Sequence, residues 1–274
     1  MPSPFDEREE VARPPRWGME ILREGARTLG LNLTADHVQA FQIYFEELQA
    51  WNRRFNLTTV TRCEDVQVKH FLDSLTCLLA FPEASSGRAE GLPSVVPLSH
   101  RDTPLLCVDV GTGAGFPGLP LKIMRPALLM TLLESSQKKV SFLKHVVGRL
   151  GLKGVEFLWA RAEEAGQNPH HRERYDLVLA RAVADMSVLA EYCLPLCRRG
   201  GCVIAQKGAD TQSELAGALP AIQLLGGQVR EVKAVALPGL KDRRALVLID
   251  KVHQTPLAYP RRPGMPAKRP LTGA

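Results

Sequence analysis

Apolar residues recur at helical spacing in three stretches near the start of the chain. Met19, Leu22, Ala26 and Leu29 predict a helix that stops at Gly30. Thr34 is placed to cap a second helix with the stripe Val38, Phe41, Phe45 and Leu48, and Val68, Phe71, Leu75 and Leu79 predict a third over 65–80. These make a small helical unit over residues 18–81, preceded by a charged, proline-bearing tail over 1–17 and followed by a Pro/Ser/Gly-rich linker over 82–104. After Pro104 the pattern changes to short apolar runs alternating with amphipathic stretches. Strands are expected at 105–110, 127–133, 155–159, 176–180, 202–205, 229–237 and 245–251, and helices at 117–124, 136–150, 187–196 and 212–225. Such alternation predicts an α/β domain over 105–252 with a doubly wound, mostly parallel sheet and an antiparallel hairpin at its end.

Composition adds exclusions. With 45% apolar residues and 35 Lys+Arg against 29 Asp+Glu, the 274-residue chain is expected to be a soluble globular protein. The longest run free of Asp, Glu, Lys and Arg, 215–229, is interrupted by Pro220, Gly226 and Gly227, which excludes a membrane-spanning helix. Residues 1–17 lack the apolar stretch of a signal peptide, so a cytoplasmic location is expected. The six cysteines form no CxxC pair and no Cys/His group has zinc-ligand spacing, so free buried thiols and no metal are expected. The basic excess is concentrated after Asp250, in Lys251, Arg261, Arg262, Lys268 and Arg269. Residues 253–274 therefore read as an extended basic tail whose proline-bounded segment YPRRPGMPAKRPL would present its cations to a phosphate backbone.

The sharpest chemical signal is LLCVDVGTGAGFPGLPLKI, residues 105–123. A buried strand runs into Gly111, Gly113 and Gly115, whose missing side chains let backbone approach a ligand closely, and Pro117 opens a helix whose N–H groups face the same space. Glu134, at the end of the next strand, is placed to accept from ribose hydroxyls. Two cofactor classes share this layout. Gly113, Gly115 and Gly118 satisfy the G-x-G-x-x-G of nicotinamide enzymes, but Pro117 and the preceding Gly111 fit that pattern poorly. The D-x-G-x-G of Asp109, Gly111 and Gly113 suits S-adenosylmethionine, which has no pyrophosphate to cradle. An NAD(P)-dependent oxidoreductase and a non-catalytic RNA-binding protein on the same fold are the alternatives.

FEELQAWNRRFNLTTV, VKHFLDSL, VDVGTGAGFPGLPLKI, LLESSQKKVSFLKHVVGRLGL, ARAEE, YDLVLARAVADMSVLAEYCLPL, IAQKG and YPRRPGMPAKRPL follow one another in this order. The set, spread over roughly residues 38–271, resembles the bacterial 16S ribosomal RNA guanine-N7 methyltransferases, also called the glucose-inhibited division protein B family. The resemblance implies a class I, Rossmann-like, S-adenosylmethionine-dependent methyltransferase acting on N7 of one guanine near the decoding site. It implies small-subunit RNA or the 30S subunit as partner, with a monomer as the simplest state. By the same resemblance Gly111, Gly113 and Phe116 belong to the cofactor loop, and Glu134 and Ser136 to the end of the second strand that holds the ribose. Ala162 and Glu163 of ARAEE match the adenine-side contacts, and Arg181 the arginine after the fourth strand. Where the family has Arg-His before its last strand, this chain has Arg243-Arg244, so no histidine role transfers.

Guanine N7 already carries an in-plane lone pair, so methyl transfer to it needs alignment rather than a general base, and no catalytic acid or base is expected. RNA contacts are expected from cations near the strand ends, namely Lys138, Arg161, Lys207 and Arg243, with Lys207 foremost. Asn56 and His70, in the helical unit, are further candidates, although a histidine beside aromatic residues also suits a structural role.

Overall fold

The computed structural model describes residues 18–81, 104–208, 211–240 and 244–271. The expected tail over 1–17, all but the end of the 82–104 linker, and Arg243 lie outside the described residues. The helical unit opens with α1 (Glu20–Thr28) and α2 (Ala35–Phe55). Thr34 caps α2: its hydroxyl accepts from the His37 N–H at 3.3 Å while His37 Nδ1 accepts from the Thr34 N–H at 3.2 Å. Asn56, in the left-handed region at φ 46°, ends the helix. The single helix expected over 65–80 instead changes winding three times: α3 (Cys63–Val66), a π-helical stretch (Gln67–Leu72), α4 (Asp73–Leu75) and a 3-10 turn (Thr76–Ala80). Its residues from Val66 to Leu78 are buried on almost every side apart from Lys69 and His70, so tertiary packing and not one amphipathic stripe sets the path.

Seven strands follow: β1 (Leu106–Val110), β2 (Leu129–Glu134), β3 (Val155–Trp159), β4 (Tyr175–Arg181), β5 (Cys197–Lys207), β6 (Gly227–Val235) and β7 (Arg244–Lys251). Their order is β3-β2-β1-β4-β5-β7-β6, parallel from β3 through β5, with β7 antiparallel to both of its neighbours. This is the mostly parallel, doubly wound α/β sheet with one antiparallel strand that the sequence predicts. The connecting helices are α5 (Gly118–Met124), α6 (Gln137–Leu150), α7 (Ala162–Gln167), α8 (Met186–Cys193) and α9 (Thr211–Leu224).

Alternate residues of each strand feed two cores, as the two-residue period of a strand requires. Leu177, Leu179, Ile204, Leu246 and Leu248 point to a cluster shared with α5, α6 and the helical unit, including Leu22, Phe41, Tyr44, Phe71 and Leu75. Val108, Val110, Val178, Ala180, Val203 and Ile249 point the other way, against Leu189, Cys193 and Ile222 of α8 and α9. The helical unit thus covers one face of the sheet through a continuous core. All six cysteines are free and buried. No helix among the described residues is long and apolar enough to cross a membrane.

The C-terminal segment departs from the extended tail expected of it. Arg172 donates to the carbonyls of Thr255 and Tyr259, each at 2.7 Å, and Arg261 grips both carboxylate oxygens of Glu191, a fully buried residue. A short helix, α10 (Met265–Lys268), then forms despite the prolines, because Pro266 sits in its first turn, where a missing N–H costs no hydrogen bond. Arg261 is therefore committed to an internal carboxylate and is not a free cation for RNA.

Candidate functional site

Strand order reverses between β1 and β4, since the chain leaves β1 toward β2 and β3 on one side and returns to build β4 and β5 on the other. At such a reversal the connections diverge and leave a crevice at the carboxyl ends of the strands. The glycine loop fills its floor. Gly111, Gly113 and Gly115 take φ values of 64°, 61° and 102°, a region that side-chain-bearing residues avoid. The N–H groups of Gly115 and Phe116 both donate to the Thr112 carbonyl at 2.9 Å, and the Thr112 N–H donates to Leu133 at 3.1 Å.

Two carboxylates tie this loop down. Asp109 is fully buried; its Oδ2 accepts from the Thr112 hydroxyl at 2.6 Å and the Gly118 N–H at 2.8 Å, while Oδ1 has no protein partner. Burial pushes its carboxyl up to about 7, against the pull of those two hydrogen bonds. Glu134 accepts from the Gly113 N–H at 3.0 Å and the Ser136 N–H at 2.8 Å, one on each oxygen. The N–H groups expected to face a ligand at the start of α5 are already used: Gly118 donates to Asp109 and Leu119 to the Gly115 carbonyl at 2.8 Å.

Two cavities flank the short stretch that follows β4. The first, about 250 Å³, is lined by Gly111, Ser135, Arg161, Ala162, Glu163, Val183 and Tyr192 among others. It gathers Gly111, Ala162 and Glu163, as the sequence suggests, together with Arg161. Glu163 is nearly buried and its Oε1 accepts from the Gly264 N–H at 2.8 Å, so the C-terminal segment fixes this side of the cleft. Neither Tyr192 nor Val183 carried a sequence signal; both are brought in by the topology.

The second cavity, about 380 Å³, is lined by Val60, Lys69, His70, Asp73, Arg181, Ala182, Gln206, Lys207, Gly208 and Arg244. Arg181 lies here and not in the first cleft. Its Nη1 donates to Asp73 Oδ2 and to the Lys69 carbonyl, each at 3.1 Å, and its guanidinium stands 5.1 Å above the Phe116 ring. Arg244 Nε reaches Asp73 Oδ1 at 3.6 Å. Burial pushes the Asp73 carboxyl up, and the two arginines oppose that shift. Phe116 is buried, stacked between His70 at 4.6 Å and Tyr44 at 5.3 Å, and the Tyr44 hydroxyl donates to the Ala114 carbonyl. Burial, reinforced by Arg181, holds the His70 ring down at about 4, and its Nε2 meets the Thr58 hydroxyl at 2.7 Å. His70 is thus a neutral, packed histidine on the wall of the second cavity.

The remaining candidates separate. Lys207 lines the second cavity, but its ammonium is paired with Glu214 and donates to the Ala184 carbonyl at 2.9 Å. Its ammonium therefore faces Glu214 and the Ala184 carbonyl instead of standing free. Lys138 is exposed on the first turn of α6 and lines neither cavity. Asn56 is exposed as the left-handed cap of α2. A larger groove, about 570 Å³, lies between α1 and α2 away from the strand ends, lined by residues such as Leu33, Val38 and Glu46.

The family model and the curated relatives agree. Residues 37–246 match the family described as GidB: rRNA small subunit methyltransferase G. The chain is 48% identical over 252 residues to Ribosomal RNA small subunit methyltransferase G of Pelotomaculum thermopropionicum, covering 92% of this chain and 98% of that protein. The corresponding protein of Roseiflexus sp. (strain RS-1) is 48% identical over 253 residues, covering 92% and 100%. Among solved structures, a 16S rRNA (adenine(1408)-N(1))-methyltransferase variant from Catenulisporales acidiphilia is similar at 13% identity and TM-score 0.47, over 56% of this chain and 88% of that one.

Proposed function

This chain belongs to the rRNA small subunit methyltransferase G family, and from that premise we propose that it methylates N7 of one guanine in small-subunit ribosomal RNA near the decoding site, using S-adenosylmethionine. It is an rRNA methyltransferase; the atom, the base and the residues that serve them are our reading. The observation that carries the reading is the pair of cavities separated by residues 181–183 at the strand-order reversal, one with the glycine loop as its floor and one lined by arginines.

The first cleft suits the cofactor. Gly111 is exposed on its floor, and a Cβ built there would stand 3.0 Å from Val183 Cγ2, so the space exists because no side chain occupies it. Each Glu134 oxygen engages one amide and keeps a lone pair free to accept from a sugar hydroxyl. Ser136 contributes its N–H to hold that carboxylate, and Ala162 and Glu163 border the adenine side. Gly113 and Phe116 act by fixing the loop, and Arg181, held by Asp73, closes the boundary with the second cavity.

When bound, S-adenosylmethionine supplies a methyl group on a sulfonium. The residues of the chain then have one task, to hold a guanine so that N7 meets that methyl in line. Such alignment is worth roughly 7–11 kcal/mol. No proton has to leave N7, so a proton-abstracting side chain is unnecessary. The arginine-rich second cavity suits a nucleotide and its phosphate. Arg161 and Lys138 extend the cationic rim, while the exposed Arg262, Lys268 and Arg269 remain as contacts on the C-terminal segment.

The experiment is transfer of labelled methyl groups to unmodified small-subunit RNA and to subunits, followed by mapping of the modified base. Label at N7 of a single guanine supports the reading. Label on another atom or base overturns the specificity, and no label on any of these substrates overturns the enzymatic reading.

A further inference from the structure

Burying a polar oxygen without a partner costs about 1–3 kcal/mol, so native interiors rarely keep one except where a ligand will supply the missing bond. Among the described residues three buried side-chain oxygens lack a hydrogen-bond partner, and two of them, Asp73 Oδ1 and Gln206 Oε1, belong to residues that line the second cavity. Both residues are 5% exposed. Asp73 is held through its other oxygen by Arg181, and its Oδ1 faces Arg244 Nε at 3.6 Å, an ion pair too long to be a hydrogen bond. Gln206 is held through its Nε2, which donates to the Asp73 carbonyl at 2.7 Å and the Thr76 hydroxyl at 3.1 Å. One amide group therefore locks the two residues together, and the pair offers two acceptors and no free donor to whatever enters.

Two accepting oxygens select for a ligand edge with two adjacent donors. Of the four RNA bases, guanine alone carries adjacent donors, N1–H and the 2-amino group, on the edge it uses for pairing, while N7 lies on the opposite side of the purine. The wall between the cavities adds a second sign of a working site. Ala182 adopts φ 54°, a left-handed conformation unusual for a residue with a side chain, with Ala182 lining one cavity and Val183 the other.

We propose that Asp73 Oδ1 and Gln206 Oε1 read the N1–H and 2-amino group of the target guanine, making this pair the specificity element of the second cavity. The inference rests on the guanine-N7 reading above and adds the residues that choose the base. Holding the pairing edge in this cavity leaves N7 on the far edge, free for the cofactor cleft. Arg181 and Arg244, both paired with Asp73, act as positioning residues.

The test compares small-subunit RNA carrying guanosine with the same RNA carrying inosine at the target position. Inosine retains N7, O6 and N1–H and lacks only the 2-amino group. Wild-type protein is expected to favour guanosine over inosine by roughly tenfold or more in kcat/KM, the scale of one hydrogen bond to a buried acceptor. Gln206→Leu removes the acceptor for the 2-amino group and is expected to lower turnover of guanosine RNA toward the inosine level, bringing the guanosine-to-inosine ratio toward one. Asp73→Asn removes the acceptor for the N1–H that both bases carry and is expected to lower turnover of both RNAs with the ratio kept. In each variant S-adenosylmethionine affinity, measured without RNA, should stay near wild type. An unchanged ratio in a Gln206→Leu protein that folds and methylates overturns the proposal, as does wild-type turnover of both RNAs by Asp73→Asn or a wild-type ratio near one. Equal loss of cofactor affinity also overturns it, because the pair would then serve only the fold of the cofactor side. Absence of methyl transfer to guanosine RNA by wild-type protein would instead overturn the guanine-N7 reading itself.

Discussion

Replacing Asp109 by Asn tests whether the carboxyl at the root of the glycine loop is a neutral acid near physiological pH. Oδ2 already accepts two hydrogen bonds and Oδ1 has no protein partner, so the amide keeps the shape and both acceptances while removing the charge. Burial raises this carboxyl from 3.8 to about 7. The unfolded chain therefore releases its proton first, and the stability Asp109 confers when protonated in both states is lost as pH climbs through that window. At about 1.4 kcal/mol per pH unit, wild type should lose roughly 3 kcal/mol relative to Asp109→Asn between pH values near 4.5 and near 7.5. Urea melts of both proteins at the two pH values, extrapolated linearly, give this as a difference of differences. Other titrating groups cancel in that comparison. His70 is one of them and acts in the opposite sense: its ring is held at about 4, so stability is lost as pH falls from 6.5 toward that value. A gap between variant and wild type that stays constant across the window would show a carboxylate ionised throughout, and would refute the reasoning.

Other substitutions probe separate parts of the site. Gly111→Val places a branched side chain at φ 64° against Val183, and calorimetric titration should find S-adenosylmethionine binding abolished. Lys207→Ala should leave cofactor affinity near wild type and the salt dependence of RNA binding unchanged, since the ammonium faces Glu214; a double-mutant cycle with Glu214→Ala should return a coupling of about 0.5–3 kcal/mol. Arg261→Ala strands Glu191 as a buried, unpaired charge and should cost roughly 3–5 kcal/mol by denaturant melts, whereas the exposed Arg262→Ala should leave stability unchanged.

Local pattern carried most of the architecture and the loop. The glycine run after an apolar strand, with Glu134 one strand later, was readable because all of its members lie within about thirty residues and each has a backbone reason to be what it is. The second cavity was less legible. Arg181 meets Asp73 across 108 residues and Gln206 meets the Asp73 backbone across 133, pairings that no window of sequence contains. The available hint was polarity out of place: Asp73 follows two core residues of a buried helix, and Gln206 interrupts an apolar strand. The partner of Lys207 was hidden for the converse reason. A lysine after a strand looks free in sequence, and only packing reveals the glutamate at α9 that neutralises it. Arg261 was illegible likewise, because Glu191, which claims it, lies 70 residues earlier.

Tyr44, in the middle of α2, donates to the carbonyl of Ala114 and stacks on Phe116, and a side chain added at Gly115 would collide with its hydroxyl. A helix that contributes nothing to either cleft therefore acts as the mould against which the glycine loop is cast. Loss-of-function changes in this enzyme need not map to the strand ends: a cavity opened at Phe41 or Tyr44 would slacken the loop from behind, and such lesions would read as catalytic defects while sitting far from any ligand.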